Sequence, residues 1–296
     1  MTDFAPMKFI ALVSGGKDSI FNIHKCVAQG HTLVAIANLY PAGINHIAQI
    51  HKLNFLKYLK LKEIGMEKDS YMYQSVGTNM IDAIGECLGV PVIRKQLKGK
   101  PVVLDLEYTG TNEEKSQDEV EDLYEILKEA KEKWDFKGVS SGAIASTYQK
   151  LRVEDVQLFN QLQNSYLWGR DQQELLKEMV DQGMNSILIK VASFGLGKDH
   201  LGLSLRDNYD KIVALVQIDF DLNIKQIIYN QLINNQNAKF HLNVCGEGGE
   251  YESLTLDSPL YKKRIIIKES EVHVHSEDEY APVYYLFIKS YELQDK

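Results

Sequence analysis

The apolar run Lys8-Phe9-Ile10-Ala11-Leu12-Val13 passes without a break into Ser14-Gly15-Gly16-Lys17-Asp18-Ser19, and this junction constrains the chain more than any other segment. A continuous apolar run reads as a strand covered on both faces, the pattern of a parallel sheet. The adjacent glycines allow a tight turn in which backbone N–H groups converge, and the helix opening at residue 19 adds its positive end. Such a turn is a phosphate site. Ser14 and Ser19 supply hydroxyl donors, Lys17 a positive charge and Asp18 a carboxylate for a magnesium ion. The spacing is neither that of the common P-loop nor that of a dinucleotide fingerprint.

The remainder of the first half alternates in the same way. Residues 32–39 form a second buried-strand pattern, 79–88 a helix closed by Gly89, and 90–94 a further strand. Residues 112–134 are densely charged, yet Val120, Leu123, Leu127, Ala130 and Trp134 recur at helical spacing, which makes one buried stripe on a solvated scaffold helix. Residues 138–142 read as a strand with its exit turn, followed by a helix to about 162 and a short strand at 166–168. Past residue 171 a helix at 172–182 precedes the strand 186–191 and a helical region to about 233. Strands at 241–245, 263–268 and 283–288 follow. The expected architecture is an α/β fold: a parallel sheet covered on both faces over residues 1–168, then a smaller α+β domain over 169–296.

Ligands of an open parallel sheet bind at the carboxyl ends of its strands, so Ser140, Ser141 and Gly142 are expected beside the phosphate loop. A second constellation is Cys245-Gly246-Glu247-Gly248-Gly249-Glu250-Tyr251-Glu252, with three glycines and three carboxylates within residues 246–252. Carboxylates crowded among glycines make poor core, and suit binding of a cation such as magnesium or ammonium, or deprotonation of a nucleophile. On the helix after residue 146, Tyr148 and Arg152 lie four apart on one face, where the arginine reaches a phosphate or carboxylate; an exposed Arg–Glu pair is the plainer account. His273 and His275 share a strand face without a third ligand and read as surface residues.

Three widely spaced cysteines, Cys26, Cys87 and Cys245, form no C-x-x-C pair, which argues against zinc, iron–sulfur and disulfide frameworks and for a reducing, cytoplasmic setting. A formal charge of −8 tilts against a nucleic-acid substrate. No stretch reaches membrane-spanning length.

Six segments in order resemble one family: SGGKDS at 14–19, DSYMYQ at 69–74 with Gly77, GVSSGAI at 138–144, YQ-x-x-RVE at 148–154, LW-x-R-x-Q at 167–172 and CGEGGEYE at 245–252. The first is the form that N-type ATP pyrophosphatases use for the pyrophosphate end of ATP. The whole set resembles the diphthine–ammonia ligases, or diphthamide synthetases. The resemblance implies a HUP-type Rossmann-like domain, a family-specific second domain with the substrate cleft between them, and amidation of diphthine on translation elongation factor 2. ATP with magnesium and ammonium would be consumed through an acyl-adenylate, giving diphthamide, AMP and pyrophosphate. It casts Lys17, Asp18, Glu247, Glu250 and Glu252 as catalytic. Ser14, Gly15, Gly16, Lys17, Asp18, Ser19, Ser140, Ser141 and Gly142 become ATP ligands. Asp69, Tyr71, Tyr73, Gln74, Tyr148, Arg152, Gly248 and Gly249 become substrate contacts. The stretch 44–68 is longer than the pattern requires, and longer family versions carry further domains. Two alternatives stand beside this reading: another N-type ATP pyrophosphatase (a tRNA thiolase or a small-molecule amidotransferase), or a module that senses ATP without turnover.

Overall fold

The computed structural model describes residues 5–40, 76–99, 118–156, 163–193, 195–214, 243–276 and 282–296. The chain divides into two compact units. One comprises residues 1–168 with 260–263 and 295–296; the other comprises 169–259 with 264–294.

The first unit is built on five strands: β1 (Lys8–Leu12), β2 (Thr32–Tyr40), β3 (Val92–Gln96), β4 (Gly138–Ser140) and β5 (Gln163–Asn164). They lie in the order β3-β2-β1-β4-β5, and every pairing is parallel. The order therefore reverses between β1 and β4, which puts the carboxyl-end crevice beside the glycine turn. The helices α1 (Lys17–Ala28), α2 (Ile81–Leu88), α3 (Glu119–Lys133) and α4 (Thr147–Asp155) complete this unit.

Period-two alternation along β2 decides which helix covers which face. Ala35, Ala37 and Leu39 join Leu123, Ile126, Leu127 and Ala130 of α3 in one core cluster. Ile36 points the other way, where Gly85 of α2 comes so close that an added Cβ would lie 3.7 Å from Ile36 Cδ1 and 2.1 Å from Val92 Cγ2. The charged α3 is scaffold: Asp118 caps it by accepting a hydrogen bond from Val120 N–H at 3.0 Å, and Asp122 Oδ2 accepts from the N–H groups of Lys98 and Gly99, both at 2.8 Å. Acidic side chains fill its first turn and lysines its last, as the helix dipole favours.

The second unit packs α5 (Gln172–Asp181) with four strands, β6 (Asn185–Val191), β7 (Tyr251–Asp257), β8 (Lys263–Ser276) and β9 (Val283–Asp295), in the order β7-β6-β9-β8. Here β6 pairs antiparallel with both β7 and β9. Among the described residues no helix is long and apolar enough to cross a membrane.

Two segments depart from the sequence expectation. Residues 166–168 form a turn, not a strand: Tyr166 N–H is drawn to the side chain of Asn22 (3.0 Å), and Trp168 N–H closes on Ser165 O at 3.2 Å. Residues 243–245 are not a strand either. Gly246 N–H closes a turn on Asn243 O at 2.8 Å, and Gly246 takes φ +78°, which ends any extended run. The helix expected to reach about 233 lies largely outside the described residues, as do 241–242.

All three cysteines are free and buried. Burial pushes the Cys26 thiol up to about 12, against a smaller opposing effect of the Ser140 hydroxyl. Below pH 9 both folded and unfolded chains keep this proton. Between pH 9 and 12 the unfolded thiol ionises while the native one does not, so stability falls by roughly 1.4 kcal/mol per pH unit from this group. Urea unfolding at several alkaline pH values is expected to show this decline in the parent and a shallower one in Cys26→Ala. An equal slope in both would assign the decline to other groups.

Candidate functional site

The phosphate loop is held at both ends before any ligand arrives. Val13 N–H donates to Ala37 O at 2.9 Å, the last rung of the β1–β2 ladder. Its carbonyl accepts from the side-chain amide of buried Asn38 at 2.9 Å. Gly15 then takes φ +93°, a conformation that glycine adopts without a Cβ clash. Gly16, which has no side chain to cap with, stands at the N-cap of α1. Ser14 Oγ accepts from Gly16 N–H at 3.3 Å, and Ser19 Oγ donates back to Gly16 O at 3.0 Å. The helix starts at Lys17, two residues ahead of the sequence expectation.

Lys17 is almost fully buried, and its ammonium lies 2.8 Å from Asp18 Oδ2. Burial raises the Asp18 carboxyl above its ordinary range, and the Lys17 charge and hydrogen bond offset only part of that. The second oxygen, Oδ1, is buried without a hydrogen-bond partner among the described residues. An orphaned carboxylate oxygen is costly in a protein interior, and a hard divalent cation is the partner that its chemistry suits. Among the described residues no group of three or more His, Cys, Asp or Glu side chains is gathered for a metal.

The loop after β4 meets this turn directly. A Cβ added at Gly142 would lie 2.5 Å from Ser19 N and 2.8 Å from Asp18 C, so Gly142 backbone rests against the first turn of α1. Ser141 is largely buried, with Oγ 3.4 Å from Ser165 Oγ. The structure thus brings 14–19 and 141–142 together. Ser140, expected as an ATP ligand, turns inward: it is 1% exposed, and its hydroxyl accepts from Asn22 Nδ2 at 2.7 Å. Arg152 is fully buried, which corrects the expectation of an exposed Arg–Glu pair. Tyr148 lies within α4. Asp69, Tyr71, Tyr73 and Gln74 fall outside the described residues.

The acidic loop of the second unit is folded around one of its own carboxylates. Glu250 is buried; its Oε1 accepts from Asn243 N–H at 2.8 Å and its Oε2 from Gly248 N–H at 2.9 Å. A Cβ at Gly248 would lie 2.6 Å from Glu250 Oε1, so the glycine leaves this carboxylate undisturbed. Gly249 turns the chain with φ +87°. Gln172 braces the loop from α5: its Oε1 accepts from Cys245 N–H at 3.1 Å, and its Nε2 donates to Asn243 Oδ1 at 2.7 Å. Glu252, on β7, pairs with Lys190 of β6 at 3.0 Å. Glu247 is half-buried on the turn itself. Sequence reasoning missed Gln172 and Asn243 as parts of this loop; Gln172 stands in the LW-x-R-x-Q segment, whose spacing carried no hint of its partner.

Comparison with known proteins covers both units. A family model described as the diphthamide synthase N-terminal domain matches residues 45–159, and one described as the diphthamide synthase C-terminal domain matches 171–286. The diphthine–ammonia ligase of Danio rerio is 44% identical over 292 residues, covering 98% of this chain and 98% of that protein. The Homo sapiens diphthine–ammonia ligase is 40% identical over 293 residues, covering 98% and 94%. The Schizosaccharomyces pombe protein of the same name is 41% identical over 287 residues, covering 96% of this chain and 39% of its own greater length.

Proposed function

Because this chain belongs to the diphthine–ammonia ligase family, we propose that it amidates the carboxylate of diphthine on translation elongation factor 2, using ammonium and ATP and releasing AMP and pyrophosphate. The observation that carries this reading is the match to the Danio rerio ligase along 98% of both chains. The setting of this reaction is the cytoplasm, where the elongation factor works.

A carboxylate is a poor acyl donor, since its leaving group would be an oxide. Attack of a diphthine oxygen on the α-phosphorus of ATP breaks the bond to the β-phosphate bridge, forms an acyl-adenylate and releases pyrophosphate. Ammonia then adds to the acyl carbon, AMP departs with the bonding electron pair, and one proton is lost from nitrogen. In the proposed assignment, Ser14, Ser19, Lys17 and the N–H groups of the Gly15–Gly16 turn bind the pyrophosphate end, where donors aimed at developing charge are worth most. Asp18 would hold magnesium, which when bound neutralises phosphate charge. Ser141 and Gly142 line the nucleotide beside α1. Asp69, Tyr71, Tyr73 and Gln74 are assigned to the nucleotide or substrate pocket, and residues 169–296 to the protein substrate.

Ammonium binding and proton removal are assigned to the three glutamates of the loop, and Glu247, half-buried on the turn itself, is the first to be tested. Glu250 is occupied by two backbone N–H groups and shapes the loop, and Glu252 is charge-balanced by Lys190.

The test mixes the protein with ATP, ammonium and diphthine-bearing elongation factor, and follows the modified histidine by mass spectrometry. Conversion of its carboxylate to an amide, with AMP and pyrophosphate formed, is the expected result. An unmodified factor beside an active control ligase would overturn the substrate assignment, and ADP with phosphate would overturn the chemistry. Glu247→Gln is expected to slow amide formation while pyrophosphate release persists. If both steps slow in parallel, Glu247 is not the ammonia-handling group.

A further inference from the structure

The strongest polar cluster outside the loops already described lies under them, centred on Asn22. This side chain is fully buried in α1, in the turn of the helix that follows the phosphate loop. Its two amide atoms reach in different directions. Nδ2 donates to Ser140 Oγ at 2.7 Å, at the end of β4, and Oδ1 accepts from Tyr166 N–H at 3.0 Å, in the turn past β5. One amide thus joins three pieces of chain separated by 118 and 144 residues.

The turn at 165–168 is tied down at further points. Ser165 Oγ lies 3.4 Å from Ser141 Oγ, and Tyr166 Oη lies 3.0 Å from His31 Nε2. His31 Nδ1 accepts from Met7 N–H at 3.3 Å, so this nitrogen carries no proton and Nε2 donates to the tyrosine. Burial lowers the His31 pKa, which keeps that neutral form. From the other side, the Lys150 ammonium of α4 sits 4.7 Å from the centroid of the Trp168 ring. The ties through Asn22, Ser141 and Lys150 run to elements that border the 14–19 and 141–142 loops, while the His31 tie runs to the residue that precedes β2.

We propose that Asn22 is a positioning residue for nucleotide binding: it sets Ser141 and Gly142 against the first turn of α1 by locking the end of β4 and the turn at 165–168 onto the helix. The proposal rests on the reading of these loops as the ATP site. Asn22 touches no ligand itself; its effect passes through Ser140 and Tyr166. A buried amide satisfied at both ends favours one arrangement of three loops, because any other strands a donor or an acceptor.

The chain has two tryptophans, Trp134 and Trp168, so Trp134→Phe leaves Trp168 as the sole reporter on the clamped turn. In that background a non-hydrolysable ATP analogue is titrated by calorimetry and by tryptophan emission. Asn22→Leu is expected to weaken analogue binding about tenfold or more and to abolish the Trp168 response, while far-ultraviolet circular dichroism stays native. Asn22→Asp keeps the acceptor for Tyr166 N–H and lets the Ser140 hydroxyl donate instead, and is expected to recover most of the affinity. If Asn22→Leu does not fold, Ser140→Ala, which removes one end of the bridge, must reproduce the affinity loss in a folded protein. A folded Asn22→Leu or Ser140→Ala that binds as the parent does would overturn the proposal. Failure of the parent to bind the analogue would instead overturn the ATP-site reading on which it stands.

Discussion

Asp18→Asn is expected to lower AMP and pyrophosphate formation by roughly a hundredfold to a thousandfold, the scale of losing one group that stabilises developing phosphate charge. The substitution keeps the shape of the side chain and its Oδ acceptor for Lys17 but removes the negative charge. Its Oδ1, without a hydrogen-bond partner among the described residues, is the reason to expect the loss. Nature tolerates a desolvated carboxylate oxygen where a ligand compensates it, and here burial already holds the group above its usual range. A coupled pyrophosphate assay over a magnesium series checks this. The parent should saturate with metal, whereas the variant should show a weakened or absent metal response at every concentration. Activity within threefold of the parent, with the same metal dependence, would remove Asp18 from the metal role.

The second large effect is expected at Gly142. Alanine there places a methyl carbon 2.5 Å from the backbone nitrogen of Ser19 and 2.8 Å from Asp18 C. Backbone atoms at the start of a helix have no flexible end to swing away, so the loop or the helix turn must shift. Overpacking of this kind costs about 1–3 kcal/mol. If that cost falls on the arrangement that binds nucleotide, ATP affinity drops roughly 5- to 150-fold. Isothermal titration with ATP measures it. Gly197→Ala is the matched control, since an added Cβ there meets nothing within 4 Å, and it should bind ATP as the parent does. Equal affinity in Gly142→Ala would show that the contact between this loop and α1 is not part of nucleotide binding.

What the sequence made readable, and what it did not, follows from the range of the interactions. The glycine turn was legible because a buried strand, a φ-positive glycine and a helix start are all local events. The parallel sheet was legible because β1 and β2 are apolar on both faces. The segment at 243–245 misled because Val244 and Cys245 are apolar enough for a strand, while the turn that claims them depends on Gly246 and on Gln172, over seventy residues earlier. Strands β8 and β9 extend well past the stretches expected from their apolar residues. Their outer halves are held by charged pairs such as Lys289 with Glu271 and Lys268 with Glu292, and by the stacking of His273 on Tyr285. Ser140 was expected beside the nucleotide because it stands at the carboxyl end of a strand, and Arg152 at an exposed pair because it lies on a polar stretch of helix. The partner of Ser140, Asn22, looks like any polar residue of a helix until the fold brings β4 beside it.

The arrangement around Glu250 and Glu252 also bears on how an anionic substrate can come near the acidic loop. Counted by composition, residues 246–252 would set three like charges in the path of an incoming carboxylate, a repulsion that grows as water is displaced. The fold dissipates most of it. One charge is spread over two peptide dipoles of its own loop, and another is cancelled by a lysine on the adjacent strand. The field that the loop projects is thus weaker than its three carboxylates would suggest by composition alone.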